Sequence, residues 1–316
     1  MDAASGTACA LRLRAAALNA VRHYFDGRGY LHVETPVRLA TPALEDHIDA
    51  IPAAGAWLRT SPELHLKRLL ADGLPRIYEI GPCFRAGEEG RRHLPEFTMV
   101  EWYAAGMDYL DMIAETEGLV AAILADAAVQ RAWPAPLAPG VELRAPWARM
   151  TVREAYRRHA GWDPLEAYDA DRFDLDLVGK VEPALPAGRA VFLMDYPPAA
   201  AALARCRPGA PAVAERWELY AGGLELANAF SELTDAAEQR RRFEDCAEGR
   251  RRRGQEVYPL DEPFLSALER GLPASAGVAL GFDRLLMLLT GTRDIADVRA
   301  FVPPVPRGAA ESPPRH

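Results

Sequence analysis

Two strand-like segments, RIYEIGPCF (76–84) and FTMVEWYAA (97–105), stand either side of Arg85 and the charged run AGEEGRRHLPE (86–96). Segments this close in sequence pair as an antiparallel hairpin, and that unit restricts the fold more than any other feature of the chain. A connection needs only a few residues. This one is too long and too polar to be mere connection, so it reads as a ligand-binding loop, the competing reading being a solvated tip. A second hairpin is signalled by ERWELYAGGLELANAF (215–230), where Gly222 and Gly223 separate two alternating segments.

Helical patterns lie between these units. Leu11, Ala15, Leu18, Val21, Tyr24 and Phe25 fall near 3.6 spacing over 11–28, which stops at Gly29. YLHVETP (30–36) alternates as a short strand ended by Pro36, which has no N–H for a ladder. Ser61, Pro62 and Glu63 form a helix start, with a serine cap, proline at the first helical position and an acid in the first turn. Further helices are predicted over 110–128, 152–159 and 235–253, and SAGVALGFDRLLMLLTG (275–291) reads as strand, glycine break and apolar helix. Residues 131–140 hold three prolines and form a linker. The pattern predicts one α+β (α/β) domain over 1–302, built on an antiparallel sheet flanked by helices, with an elaboration at 141–208 and a disordered tail at 303–316.

Charge and composition narrow the partners. A net charge of −8 in 316 residues weakens the case for a protein whose main work is gripping phosphate backbones. No run approaches the roughly 18 apolar residues of a membrane span. Arginines interrupt the first 25 residues where a signal peptide would be apolar. Cys9, Cys83, Cys206 and Cys246 are widely spaced without a CxxC, which fits reduced thiols and a cytoplasmic setting.

Three groups of residues carry chemistry. Arg85, Arg91, Arg92 and His93 in the hairpin loop, with Arg284 behind Gly281 and Phe97 as a stacking surface, make a nucleotide clamp, because guanidinium forks match phosphate oxygens and lie flat on bases. Surface arginines flanking a hairpin are the alternative. Glu218, Glu225 and Glu232 recur at intervals of seven. A turn at Gly222 and Gly223 folds Glu218 towards Glu225, an unfavourable pairing unless a cation such as magnesium intervenes; an exposed acidic edge is the alternative. Glu63, Glu101, Tyr103, Asn228 and Glu232 sit on otherwise apolar segments with no nearby lysine or arginine to answer each carboxylate, so a cationic small molecule is the economical partner.

In order, these features resemble a known constellation. VETP (33–36), FRAGEEGRRHLPEFTMVEWY (84–103) and GVALGFDRLLML (277–288) are similar to motifs 1, 2 and 3 of class II aminoacyl-tRNA synthetases. TSPELHLKRLL (60–70) and GLELANAFSELTDAAEQRRRF (223–243) resemble the lysine-specific members. The likeness runs from about residue 11 to 301. Motif 1 begins by residue 30, leaving no room ahead of it for an anticodon-binding domain, so the resemblance is to the truncated branch that ligates lysine to elongation factor P. Ser61 and Ala279 point the same way, standing where the synthetases tend to have alanine and glycine. Such small changes retune a pocket by about 1–3 kcal/mol without changing the reaction.

The resemblance implies an ATP-dependent, AMP-forming ligase. Lysine or (R)-β-lysine is activated as an acyl-adenylate and passed to a lysine ε-amine of elongation factor P, with ATP and Mg2+ as cofactors and tRNA not a substrate. It implies that Arg85 contacts the α-phosphate and the substrate carboxylate, with Arg85 and Arg284 as the catalytic pair. Arg91 and His93 handle the outer phosphates, and Phe97 and Arg284 sandwich the adenine. Ala86, Gly87, Leu94, Leu226 and Gly281 complete the nucleotide site, and Glu218 and Glu225 hold magnesium. Glu63 meets the amino group near the carboxylate; Glu101, Tyr103, Asn228 and Glu232 recognise the distal ammonium, with Ser61, Pro62 and Ala279 lining the pocket. Ala86, Gly87 and Leu94 replace an asparagine, a glutamate and an asparagine of the family pattern, and Glu88 or Glu89 is the candidate substitute. Motif 1 implies a homodimer through 11–28 and the strand ending at Pro36. Arg250, Arg251, Arg252 and Arg253 are the candidate surface for the acceptor protein. The alternatives are a ligase for another acceptor and a non-catalytic regulatory paralogue that binds lysine or nucleotide.

Overall fold

The chain enters its sheet through helix α1 (Ala3–Asp26), which starts ahead of the predicted 11–28 and sets Leu13, Ala17, Val21 and Phe25 into the core. The structure is a computed structural model that describes residues 3–207 and 212–302. Of the strand expected over 30–36 two residues form a ladder, β1 (Leu31–His32). The chain then leaves it because the Thr35 N–H and hydroxyl donate to the Glu79 carboxylate at 3.2 and 2.8 Å. A small ribbon unsignalled by the sequence follows, β2 (Arg38–Leu39) with β3 (Trp57–Leu58). Helix α2 (Glu63–Ala71) begins one residue later than the serine-cap reading places it. Pro62 occupies the cap position, and the Ser61 hydroxyl accepts from the Glu63 N–H at 2.9 Å.

The two signalled hairpins form. Strands β4 (Arg76–Phe84) and β5 (Glu96–Ala105) pair antiparallel along their length. The helical stretch expected over 110–128 is two helices, α3 (Tyr109–Ala125) and α4 (Ala127–Ala132). Asp126 breaks them by accepting hydrogen bonds from the Ala128 and Val129 N–H groups at 2.7 and 3.0 Å, which starts a new helix there. The 141–208 segment contributes β6 (Ala148–Thr151), α5 (Val152–His159), α6 (Ala170–Asp176), β7 (Val191–Tyr196) and β8 (Cys206–Arg207). Strands β9 (Val213–Ala221) and β10 (Leu224–Ser231) meet at Gly222 and Gly223, with φ of 63° and 73°, the doubly left-handed turn that glycine adopts without steric cost. Helices α7 (Ala236–Arg252) and α8 (Glu262–Gly271), strand β11 (Ser275–Gly281) and helix α9 (Phe282–Thr290) complete the fold.

The main sheet runs β1-β4-β5-β11-β10-β9-β7-β6, with β8 also on β9. From β4 to β7 every neighbour is antiparallel, but β1 on β4 and β6 on β7 are parallel, so the sheet is mixed and not antiparallel throughout. Each parallel pair is joined by a crossover that carries helix, as parallel strands require. The predicted disordered tail, 303–316, lies outside the described residues.

Period-two alternation divides the sheet. Val100, Trp102 and Ala104 of β5, Ala276, Val278 and Leu280 of β11, and Ala227 and Ala229 of β10 face α1, α3 and α9 in the largest core cluster. The intervening residues, Met99, Glu101 and Tyr103, Gly277 and Ala279, Asn228 and Phe230, face the other way. Asp283, 2% exposed, locks these layers by accepting from Arg14 at 2.5 Å and from the Thr98 N–H at 2.7 Å. Among the described residues no helix is long and apolar enough to cross a membrane, and the four cysteines are free thiols.

Candidate active site

Strand register brings distant residues into one row across the second face. Glu79 opposes Glu101, Glu101 opposes Ala279, Ala279 opposes Asn228 and Asn228 opposes Glu218. The next row holds Ile77, Tyr103, Gly277, Phe230 and Arg216. Gly277 is required by close approach, because a Cβ there would lie 2.1 Å from Cε1 of Tyr103 and 2.8 Å from Oε1 of Glu232. Between these rows and α2 lies a cavity of about 60 Å³, lined by Glu45, Ser61, Glu63, Arg85, Glu101, Tyr103, Asn228 and Ala279 among others. It opens into a cleft of about 1480 Å³ that shares Glu45, Glu63, Arg85, Asn228 and Ala279 with it.

The carboxylates here are not left for a ligand to answer unaided, which corrects the expectation that no basic side chain stands near them. Lys67, buried on α2, places Nζ 2.5 Å from Glu63 Oε1 and 2.5 Å from Glu232 Oε2. Glu101 accepts from the Ser61 hydroxyl at 2.7 Å and the Tyr103 hydroxyl at 3.0 Å. Burial nevertheless pushes the Glu101 carboxyl up to about 8, with repulsion from Glu63 adding to it. Glu232 is likewise raised to about 8 by burial, against the pull of Lys67. Its Oε1 has no hydrogen-bond partner. Ionising these carboxyls is therefore costly in the empty pocket, and a ligand ammonium would favour their charged form. Neither Pro62, at the head of α2, nor Glu232 is among the residues lining the cavity or the cleft; Glu232 lies behind Gly277, which lines the cavity.

Arg85 stands where cavity and cleft join. Its guanidinium lies 5.1 Å from the Phe97 ring centre and 3.7 Å from Glu88, and its buried Nε has no hydrogen-bond partner. Across the cleft Arg284 donates to the Glu225 carbonyl at 3.0 Å, lies 3.3 Å from the Glu225 carboxylate and contacts His93. The structure thus sets Arg85, Phe97, His93 and Arg284 around one cleft, together with Ala86, Gly87, Arg91, Leu226 and Gly281. Leu94 touches the cleft but packs mainly into the core, 9% exposed. Glu88 and Glu89 both line the cleft.

The acidic pair departs from its sequence reading. Glu218 faces Asn228, whereas Glu225 faces Tyr220, with a bulge at Leu226 between them. Glu218 is satisfied by Arg216 at 2.5 Å and by the hydroxyls of Tyr196 and Tyr220 at 2.5 and 2.7 Å. Repulsion across the hairpin is thus answered by arginines, Arg216 for one carboxylate and Arg284 for the other. Among the described residues no group of three or more His, Cys, Asp or Glu side chains is placed to hold a metal. Glu218 and Glu225 both line the cleft; Glu225 would fit a magnesium ion that brings phosphate oxygens and water as its other ligands, while Glu218 is already bonded to Arg216, Tyr196 and Tyr220.

Several residues escape sequence reasoning. Lys67 had a signal, since it lies one helical turn beyond Glu63. Arg216 lay two residues before Glu218 on the same strand face. Glu182, raised to about 7 chiefly by burial and then by Glu218 and Glu225, had none. Arg250 corrects the acceptor-surface reading. It is 0% exposed and bonded to the carbonyls of Glu45, Ile48 and Glu256, so it belongs to the interior. Arg251 pairs with Glu248 and Arg253 with Asp46, which breaks up the rest of the run.

The family described as tRNA synthetases class II (D, K and N) matches residues 4–304. The chain is 37% identical to a lysine–tRNA ligase of Moorella thermoacetica over 314 residues, covering 91% of this chain and 64% of the relative. It is 36% identical over 320 residues to an elongation factor P–(R)-beta-lysine ligase of Yersinia enterocolitica, and 37% to that of Erwinia tasmaniensis, in each case 91% of this chain and 93% of the relative. The chain therefore spans less than two thirds of the lysine–tRNA ligase and nearly the whole of the other two.

Proposed function

Because this chain belongs to the class II tRNA synthetases of the D, K and N group and is an ATP-dependent ligase of that family, we propose that it activates lysine or (R)-β-lysine as an acyl-adenylate and transfers it to a lysine ε-amine of elongation factor P. The observation that carries this reading is the acidic cavity opening past Arg85 into a cleft walled by Phe97 and Arg284. A diamino acid fits that polarity, with its distal ammonium among Glu101, Glu232 and Tyr103 and its carboxylate against Arg85. The adenine lies between Phe97 and Arg284, and Arg91 and His93 neutralise the outer phosphates. Glu225 would hold magnesium, which would supply further neutralisation of the phosphates.

In the first step a carboxylate oxygen bonds to the α-phosphorus and the bond to the bridging oxygen breaks, releasing pyrophosphate. In the second the acceptor amine bonds to the acyl carbon, loses a proton, and AMP departs with the electron pair. No protein nucleophile is needed, so the side chains place the reactants and offset their charge. Identity to elongation factor P ligases over 93% of their length supports this acceptor. A homodimer through α1 and β1 is supported by the exposed Leu11 and Leu31, 37% and 51% exposed on those elements. A cytosolic setting accords with the free thiols.

The reading is tested by incubating the chain with ATP, each lysine isomer and purified elongation factor P, and weighing the acceptor intact. A gain of one lysyl or β-lysyl mass supports it, and an unmodified acceptor under conditions where pyrophosphate exchange proceeds points to another acceptor. Ala86, Gly87 and Leu94 favour a second reading, a lysine- or nucleotide-binding regulator without catalysis, which predicts binding of lysine with no pyrophosphate exchange.

A further inference from the structure

The loop between β2 and β3 is pinned from beneath. Arg250 donates to the carbonyl oxygens of Glu45 at 2.7 Å and Ile48 at 3.2 Å and to Asp49 Oδ1 at 2.5 Å, and it lies over the ring of Tyr258. The Tyr258 hydroxyl in turn accepts from the Ala50 N–H at 2.8 Å. A buried guanidinium committed to a loop backbone fixes where the side chains of that loop stand. One of them is Glu45, which lines both the small cavity and the cleft at their junction, as Glu63 and Arg85 do.

Glu45 differs from every other carboxylate that lines the small cavity. Glu63 has Lys67, and Glu101 has Ser61 and Tyr103. The Glu45 carboxylate has no hydrogen bond or ion pair among the described residues. Burial pushes it up to about 7; attraction to Arg85 works against this, and repulsion from Glu63 and Glu88 adds to it. Glu45 is half-buried, and two fully buried atoms of the same region are also unpartnered, Nε of Arg85 and Oε1 of Glu232, the latter on a residue 1% exposed. An anionic oxygen at the junction and cationic groups on either side of it would satisfy all three.

We propose that Glu45 is a second carboxylate for the ammonium nearest the substrate's own carboxylate, and helps set which carbon bears that ammonium. This rests on the diamino-acid reading above. A carboxylate on Arg85 and a distal ammonium at Glu101 confine the near ammonium to the junction, between Glu63 and Glu45. Glu63 has one oxygen committed to Lys67, so it offers that ammonium an incomplete counter-charge, and Glu45 completes it. Moving the amino group from the second to the third carbon carries it one bond along the chain between these two carboxylates, so the balance between them discriminates the isomers.

The experiment is calorimetric binding of L-lysine, (R)-β-lysine and 6-aminohexanoate to the whole chain and to Glu45→Gln. 6-Aminohexanoate keeps the carboxylate and the distal ammonium but lacks the near one. The variant is expected to lose roughly 10–100-fold in affinity for at least one lysine isomer, to change the ratio between the two, and to bind 6-aminohexanoate within about twofold of the parent. Equal losses for all three ligands, or unchanged affinity for both lysine isomers, would overturn the proposal. A parent chain that binds none of the three defeats the diamino-acid reading itself, and this proposal falls with it. Glu45→Asp, which keeps the charge on a shorter arm, is measured beside it; an isomer ratio identical to the parent's in both variants also overturns the proposal.

Discussion

Lys67 Nζ lies 2.5 Å from Glu232 Oε2, and both side chains are almost entirely removed from solvent, at 2% and 0% exposure. The pair joins α2 to the residue just past β10, with Glu63 as its third member. Its ammonium is therefore fixed behind Glu63, which lines the cavity. It sets how much negative charge remains for a ligand.

Lys67→Met should cost about 3–5 kcal/mol, because it leaves Glu63 and Glu232 buried without their cation. The sign of the pH dependence follows from Glu232, whose folded value is already raised to about 8 and loses its opposing attraction in the variant. A carboxyl raised on folding contributes stability that is full below its unfolded value and is lost as pH rises through the folded value. Because Glu232 of the parent is itself protonated below about 8, the deficit against the parent should shrink on acidification from about pH 10 to about pH 8 and change little below that. Urea melts at the two pH values measure it, and a deficit that does not depend on pH would count against the charge argument.

Glu101 predicts a proton linked to binding. Its carboxyl is raised to about 8, first by burial and then by Glu63, so at neutral pH the empty site holds a proton there for much of the time. A ligand ammonium favours the ionised form. Lysine binding at about pH 7 should therefore release protons, and its affinity should rise as pH climbs through about 8. Calorimetry in two buffers of different ionisation enthalpy reads the release directly. Identical heats in both buffers would remove Glu101 from the ammonium site.

Arg250→Met should cost about 2–4 kcal/mol by orphaning Asp49 and three carbonyl oxygens. It should also weaken lysine binding, since the loop carrying Glu45 loses its anchor. Exposed Arg252 two residues on should tolerate glutamate within about 0.5 kcal/mol. Thermal melts of the two variants side by side separate a pin from a surface charge; equal effects would return Arg250 to the surface run that the sequence suggested.

What could be read from the sequence was what the chain decides locally. The Gly222 and Gly223 turn and the β4–β5 hairpin follow from residues that touch their near neighbours, and the motif order put Arg85 and Phe97 on that hairpin and Arg284 on the helix after Gly281. The row from Glu79 to Glu218 could not be read, because β11 inserts between β5 and β10 from more than forty residues away from either. Lys67 was half legible. Its helical partner Glu63 is four residues away, but Glu232 reaches it only through sheet packing. Glu45 sits in a loop whose position depends on Arg250, some two hundred residues later, and no periodicity reports such a contact. Glu218 and Glu225 do not stand directly opposite because the two-residue turn at Gly222 and Gly223 sets Glu225 against Tyr220, and the bulge at Leu226 then sets Asn228 against Glu218.

Glu225→Gln separates the nucleotide role of this strand from its structural one. Glu225 lies 3.3 Å from Arg284, with the two side chains 30% and 21% exposed, so as an ion pair it contributes at most about 1 kcal/mol. The amide keeps the shape and a hydrogen-bond acceptor for Arg284, and removes repulsion that Glu225 exerts on Glu182. Stability should therefore hold within about 1 kcal/mol. Pyrophosphate exchange should fall by at least roughly a hundredfold, because the change takes one negative charge from the group that would hold magnesium against the phosphates. Raising magnesium should recover part of the loss if the amide weakens metal affinity, whereas a defect in Arg284 placement would not respond to the metal. Near-normal exchange in a folded variant would remove Glu225 from the metal site. A large fall in melting temperature would instead make the Arg284 pair structural, and the metal would then have to be sought on other residues of the cleft.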